Sequence, residues 1–176
     1  ALPPRPGLCE LVRMCPERPP HPDSPGHALA ALEAEAQRHD VVVLVNPNSP
    51  TGTTVSTEWM YRLAESHPGT LFIVDESFVE FSGEEPIVKR LERRPLANVL
   101  VLVSLSKTLG VPGLRLGYVY ACDSRLLSTI ADRLPIWNVS APAEFMLELL
   151  LKFRTELDDS IAGTMVDRGA LAESRR

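Results

Sequence analysis

Four short apolar runs constrain this chain more than any other feature. Val41-Val42-Val43-Leu44-Val45 places five apolar residues in a row without polar alternation. Such a run fits a strand buried on both faces, as in a parallel sheet, because a strand with one wet face alternates. Leu71-Phe72-Ile73-Val74, residues 98–103 and residues 116–120 are the other strand candidates. Helical patterns fall between them at 28–38, at 56–66 with Ser56 or Thr57 as cap, around Pro86 to Arg94, and at 124–134. This alternation predicts a parallel, doubly wound α/β sheet. Beyond Ala141, an apolar face of Phe145, Leu149 and Phe153 predicts a long helix running towards the end.

Length and composition bound the function. A chain of 176 residues builds one full core and not two comfortable ones. Its net charge of −5, without a basic stripe, argues against nucleic acid and anionic membranes as partners. No apolar run approaches the length of a membrane span. Cys9, Cys15 and Cys122 are odd in number and lack paired spacing, so a reducing cytoplasm is the expected location. His21, His27, His39 and His67 lack the spacing of a metal pair and are expected in structural or solvent-facing roles. Eight of the sixteen prolines fall in the first 25 residues, which limits that region to one short edge-type strand around Leu8 to Met14.

The chemistry gathers where the strands end. The run 98–103 delivers Ser104-Leu105-Ser106-Lys107, and Arg115 follows eight residues after the lysine. Ligands of open α/β sheets bind outside the carboxyl ends of the strands. A free lysine amine, with a pKa of about 10.4, is almost wholly protonated at pH 7. A neighbouring cation such as Arg115, together with desolvation, favours the neutral nucleophile. Two hydroxyls and a guanidinium beside it suit a phosphate, so the pattern points to an aldehyde with a phosphate handle, pyridoxal phosphate. Asp75 ends another strand, and a carboxylate there needs a cation such as a protonated pyridine nitrogen. Asn48 and Ser49 lie in a loop, Asn46 to Gly52, whose two prolines each leave the cis form open. Turn chemistry alone accounts for those two residues, and a helix cap or salt bridge accounts for Asp75 taken singly. Their joint arrangement at one sheet edge calls for a shared ligand.

Asn46-Pro47-Asn48-Ser49-Pro50-Thr51-Gly52, Asp75-Glu76-Ser77-Phe78, Ser104 to Lys107 and Gly113 to Tyr118, in that order, resemble the fold-type I, class I and II aminotransferases. The resemblance is strongest to the branch of histidinol-phosphate aminotransferase and threonine-phosphate decarboxylase, and it covers roughly residues 10 to 155. It implies an α/β, parallel-sheet-based large domain of a pyridoxal-phosphate-dependent transferase, aspartate aminotransferase-like and truncated at both ends. Residues 1–140 would form the core of the cofactor domain, and 141–176 would lead towards a small domain. It further implies Lys107 as the Schiff-base and proton-transfer residue and Asp75 as partner of the pyridine nitrogen. Ser104, Ser106 and Arg115 would bind the cofactor phosphate, and Asn48 or Ser49 the ring hydroxyl. Family members commonly have Asn where this chain has Ser49, and often Tyr where it has Phe78. Phenylalanine there looks more like the decarboxylase side of the branch. An amino donor and an oxo acid acceptor are the implied partners, in a homodimer.

Three other readings compete. A decarboxylase shares the cofactor machinery. Ser104-x-x-Lys107 also matches the signature of serine acyl-enzymes, but no Ser-Asp-Asn follows and Lys107-Thr108-Leu109-Gly110 is not Lys-Thr-Gly. A non-catalytic interaction module would not need both Asp75 and Lys107.

Overall fold

The computed structural model describes residues 12–14 and 25–174. Five strands form one sheet: β1 (Val12–Met14), β2 (Val41–Val45), β3 (Leu71–Asp75), β4 (Val99–Ser104) and β5 (Gly117–Ala121). Seven helices accompany them: α1 (Pro25–Ala36), α2 (Thr57–Ser66), α3 (Ile87–Arg93), α4 (Leu105–Thr108), α5 (Ser124–Ala131), α6 (Ala141–Lys152) and α7 (Arg154–Ser174). Each expected strand is present, shifted by a residue at most at either end. Cys9, Cys15 and His21 lie outside the described residues, as does most of the stretch from Leu8 to Met14.

Two expectations about the sheet are corrected. The strands run β1-β2-β3-β4-β5 in sequence order, so the described sheet never reverses direction as a doubly wound one does. β1 to β4 are parallel, but β5 runs antiparallel to β4, with Leu100 opposite Ala121 and Ser104 opposite Gly117. The reason is the connection. A parallel return must carry the chain back along the strand, usually by a helix, whereas residues 105–116 hold only the four-residue α4 and a 3₁₀ turn at Pro112–Leu114.

Burial is also one-sided. Along β2 and β3 every second residue is buried and its neighbours are only half-buried, which corrects the expectation of strands covered on both faces. Val42, Leu44, Phe72, Val74, Val99 and Val101 form the buried face. Register aligns them across the sheet, Phe72 beside Val99 and Val42 beside Phe72. Against them pack Met60, Tyr61, Leu63 and Ala64 of α2, Ile87 and Leu91 of α3, and Ala36 of α1.

Polar side chains fix the element ends. Ser56 caps α2 by accepting from Trp59 N–H at 3.3 Å, as its sequence position predicts. Asn98, just before β4, donates from Nδ2 to the carbonyls of Ala64, His67 and Thr70 at 2.9–3.0 Å, tying the α2–β3 turn to the next strand. The expected long C-terminal helix breaks at Phe153, whose φ of −116° separates α6 from α7. Its expected apolar face is not covered: Phe145 is 61% exposed and Phe153 44%.

The asymmetry predicts unequal mutational costs. In the 176-residue chain, Phe72→Ala should lose about 3–5 kcal/mol, the range for an aromatic removed from a closed core. Ile73→Ala, on the half-buried face next to it, should lose less than half as much. Urea unfolding of the two variants checks this, and equal losses would show both faces to be closed.

Candidate active site

β3 ends on Asp75, which faces the less covered side of the sheet. Its register partner on β4 is Leu102, and Leu102 pairs with Val119 on β5, so these three share a face with Ser104 and Gly117. Ser77 folds back on Asp75: its backbone N–H donates to Asp75 Oδ1 at 2.9 Å and its hydroxyl donates to the same oxygen at 2.6 Å. The backbone N–H of Ser104 donates in turn to Ser77 Oγ at 2.9 Å. Oδ2 of Asp75 accepts no hydrogen bond among the described residues.

Past Ser104 the chain turns into α4. Ser106 is buried, with its hydroxyl donating to Leu116 O at 3.4 Å. Arg115 is exposed and held in the left-handed region at φ 53°, ψ 45°, a conformation that costs a residue with a Cβ about 1 kcal/mol. Gly117 follows because nothing larger fits: a Cβ there would lie 2.6 Å from Val103 O. Asp75, Ser77, Ser104, Ser106, Arg115 and Asn138 line one cavity of about 470 Å³, within the usual range for a small-molecule site.

Other expected site residues stand apart from it. Asn48, Ser49 and Phe78 line a second cavity of about 570 Å³ with Phe81 and Arg168, whose guanidinium donates to Phe81 O. Asn48 is buried, with Nδ2 donating to Thr51 Oγ1 at 2.7 Å, whereas Ser49 is exposed. Both prolyl bonds of this loop, Asn46–Pro47 and Ser49–Pro50, are cis. Lys107 lines neither cavity. It is exposed, and its Nζ lies 5.8 Å from the centre of the Phe78 ring, at cation–π distance. The described residues therefore do not supply the desolvation expected around this amine.

Four residues with site roles were not singled out by the sequence reading. Asn46 pins the proline loop by a two-way bond to Val55, donating to its O at 2.9 Å and accepting from its N–H at 2.8 Å. Ser77 carried a readable signal, since an Asp whose side-chain oxygen accepts from the N–H two residues later is the pattern of an Asx turn. Asn138 reaches the cavity through tertiary folding alone. Glu76 is 1% exposed, and both carboxylate oxygens accept from Ile87 N–H, at 2.9 and 3.1 Å, at the start of α3. Burial pushes its carboxyl up to about 7, against the lowering effect of the Ile87 bond and with a further upward push from Glu80.

A carboxylate acceptor with one uncommitted oxygen, and two serine hydroxyls and a guanidinium as donors, around one cavity suit a phosphorylated nitrogen heterocycle. An α/β sheet presenting that set beside a lysine turn defines the fold-type I pyridoxal-phosphate enzymes. Residues 21–168 match the family described as aminotransferase class I and II, and the chain belongs to that family. It is 41% identical over 138 residues to the CMP-5'-(3-aminopropyl)phosphonate synthase of Streptomyces rubellomurinus, covering 76% of this chain and 22% of that protein. It is 33% identical over 137 residues to the histidinol-phosphate aminotransferase of Chlorobium chlorochromatii, covering 78% and 37%. The crystal structure of L-threonine-O-3-phosphate decarboxylase from Porphyromonas gingivalis superimposes with a TM-score of 0.62 at 30% identity, covering 68% of this chain and 36% of that one. The chain thus spans about a fifth and somewhat over a third of the length of these two curated relatives.

Glu76 makes stability depend on pH. Its folded value of about 7 lies above the ordinary 4.5, so the folded protein binds more protons than the unfolded chain between those limits. Stability from this group is complete below about pH 4.5 and is lost as pH rises through 7, on the order of 3 kcal/mol in all. Glu76→Gln should remove that slope, so that parent minus variant falls between pH 4.5 and pH 8. Urea unfolding across that interval checks it, and parallel curves would assign the slope to other groups.

Proposed function

We propose that this chain is the cofactor-binding part of a pyridoxal-phosphate-dependent aminotransferase that acts on small amino acids or amino-acid-phosphate-like compounds. The observation that carries the reading is the cavity in which Asp75, Ser104, Ser106 and Arg115 meet at the carboxyl ends of adjacent strands. When bound there, pyridoxal phosphate supplies an electron-withdrawing ring conjugated to the substrate amino group. Asp75, with Oδ1 held by Ser77, would use its other oxygen to keep a proton on the ring nitrogen. Ser104, Ser106 and Arg115 hold the phosphate by charge-assisted hydrogen bonds. Lys107 would supply the amine that holds the cofactor and the base for the proton at the substrate Cα. Asn48 or Ser49 would meet the ring hydroxyl from the Asn46–Gly52 loop, which lines a second cavity with Phe78. Residues 1–140 form the core of this domain, and 141–176 lead towards a second one.

A decarboxylase is the second reading, and Phe78 favours it. Its ring has no hydroxyl to donate where an aminotransferase of this family often has tyrosine. Similarity to a threonine-phosphate decarboxylase structure supports the same alternative. Either enzyme would work in the cytoplasm as a homodimer, with an amino donor and an oxo acid as partners in the first case. Almost fully exposed Ile136 and Trp137 support an association surface.

Borohydride reduction of the full-length protein loaded with pyridoxal phosphate should place the pyridoxyl mass on Lys107. Peptide mass spectrometry reads it, and a label on Lys89 or Lys152 would overturn the assignment. Asp75→Asn should lower kcat/KM at least a hundredfold, about 2.7 kcal/mol, with a smaller loss of cofactor affinity. Oxo acid formation without carbon dioxide release separates transamination from decarboxylation.

A further inference from the structure

Ser77 is buried, and its one hydroxyl joins the two segments on which the site depends. A serine hydroxyl has one proton to donate and lone pairs to accept with. Here the proton goes to Asp75 Oδ1 at 2.6 Å, within the range of a charge-assisted O–H···O⁻ bond, and a lone pair takes the Ser104 N–H at 2.9 Å. The backbone N–H of Ser77 reaches the same Oδ1 at 2.9 Å. Oδ1 is thereby held twice, which fixes the carboxylate plane and leaves Oδ2 for a cation. Ser104 is the residue from which α4, with Ser106 and Lys107, departs. We infer that Ser77 is a positioning residue, setting the Asp75 carboxylate and the Ser104–Lys107 turn in one fixed relation across the β3–β4 junction.

The inference rests on the cofactor reading above and adds to it a residue whose hydroxyl is committed to Asp75 and Ser104. Removing the hydroxyl frees the Asp75 carboxylate to rotate and deprives the Ser104 amide of its acceptor. Both effects arise from one atom, so they should appear together.

The test uses full-length protein as parent, Ser77→Ala, Ser77→Cys, Ser77→Thr and Asp75→Asn. In Ser77→Ala, pyridoxal phosphate binding should weaken about tenfold, the scale of one charge-assisted hydrogen bond. The pH midpoint of the bound cofactor's absorbance should move by about half a unit or more, because the charge beside the ring nitrogen is no longer held in place. In cofactor-free protein, amide exchange at Ser104 should quicken about tenfold. Ser77→Thr keeps the hydroxyl and should restore all three. Ser77→Cys, nearly isosteric and a weak donor, should follow alanine and replaces it if alanine does not fold. If Asp75→Asn leaves affinity and absorbance midpoint unchanged, the cofactor reading itself fails. If Asp75→Asn changes both while Ser77→Ala and Ser77→Cys match the parent in midpoint and exchange, the positioning role is overturned. Loss of thermal stability with an unchanged midpoint overturns it equally.

Discussion

The parallel pairing of β3 with β4 carries the candidate site. Asp75 lies opposite Leu102, and the next residue, Glu76, continues the ladder by donating its N–H to Leu102 O at 2.9 Å. Because β4 runs two residues past Leu102, alongside Glu76 and Ser77, the segments Asp75–Ser77 and Ser104–Lys107 leave the sheet side by side. Side chains alternate along a strand, so a slip of one residue would turn Asp75 towards the helices and bring Glu76 to the open face. The hydrogen bond from Ser104 to Ser77 lies at the point where that register becomes a site.

The sheet itself is asymmetric. α1, α2 and α3 close one face around Phe72, Val74, Val99 and Val101, and that closure provides the hydrophobic stabilisation. The other face carries Asp75, Ser104 and Gly117 and opens onto the cavity that Arg115 and Asn138 border. An antiparallel β5 serves this division. Its tight return from α4 brings Leu116 back onto Ser106 and sets Gly117 against Val103, so the serine turn is held from both sides.

Asp75 and Glu76 show how alternation gives adjacent carboxylates different work. Asp75 faces the cavity with serine donors on one oxygen. Glu76 points into the opposite layer, where it satisfies the first N–H of α3 in place of a side-chain cap that Pro86 does not provide. An ionised carboxylate in that layer is costly, and its upward shift to about 7 records the cost. The carboxyl sits where a helix start would otherwise leave a buried donor unpaired.

Much of this was legible in the residues. Apolar runs located β2 to β5 within a residue, Ser56 marked the start of α2, and four ordered motifs pointed to the family. These features are local: strand formation follows from neighbouring β-branched side chains, and caps and turns from residues a few positions apart. Other features depend on partners far along the chain. That a run such as Val41–Val45 has only one closed face follows from which helices the chain brings to it, not from its own composition. The direction of β5 came from a connection without a crossover helix, and the line of site residues was divided between two cavities by packing. Asn138 entered the site from 63 positions beyond Asp75. The sequence by itself determined the elements, the family and the residue types able to hold a phosphate and a ring nitrogen. Tertiary structure alone decided that Ser77 links Asp75 to Ser104 and that Glu76 is buried at α3, because both contacts require β3 and distant elements to be brought within 3 Å.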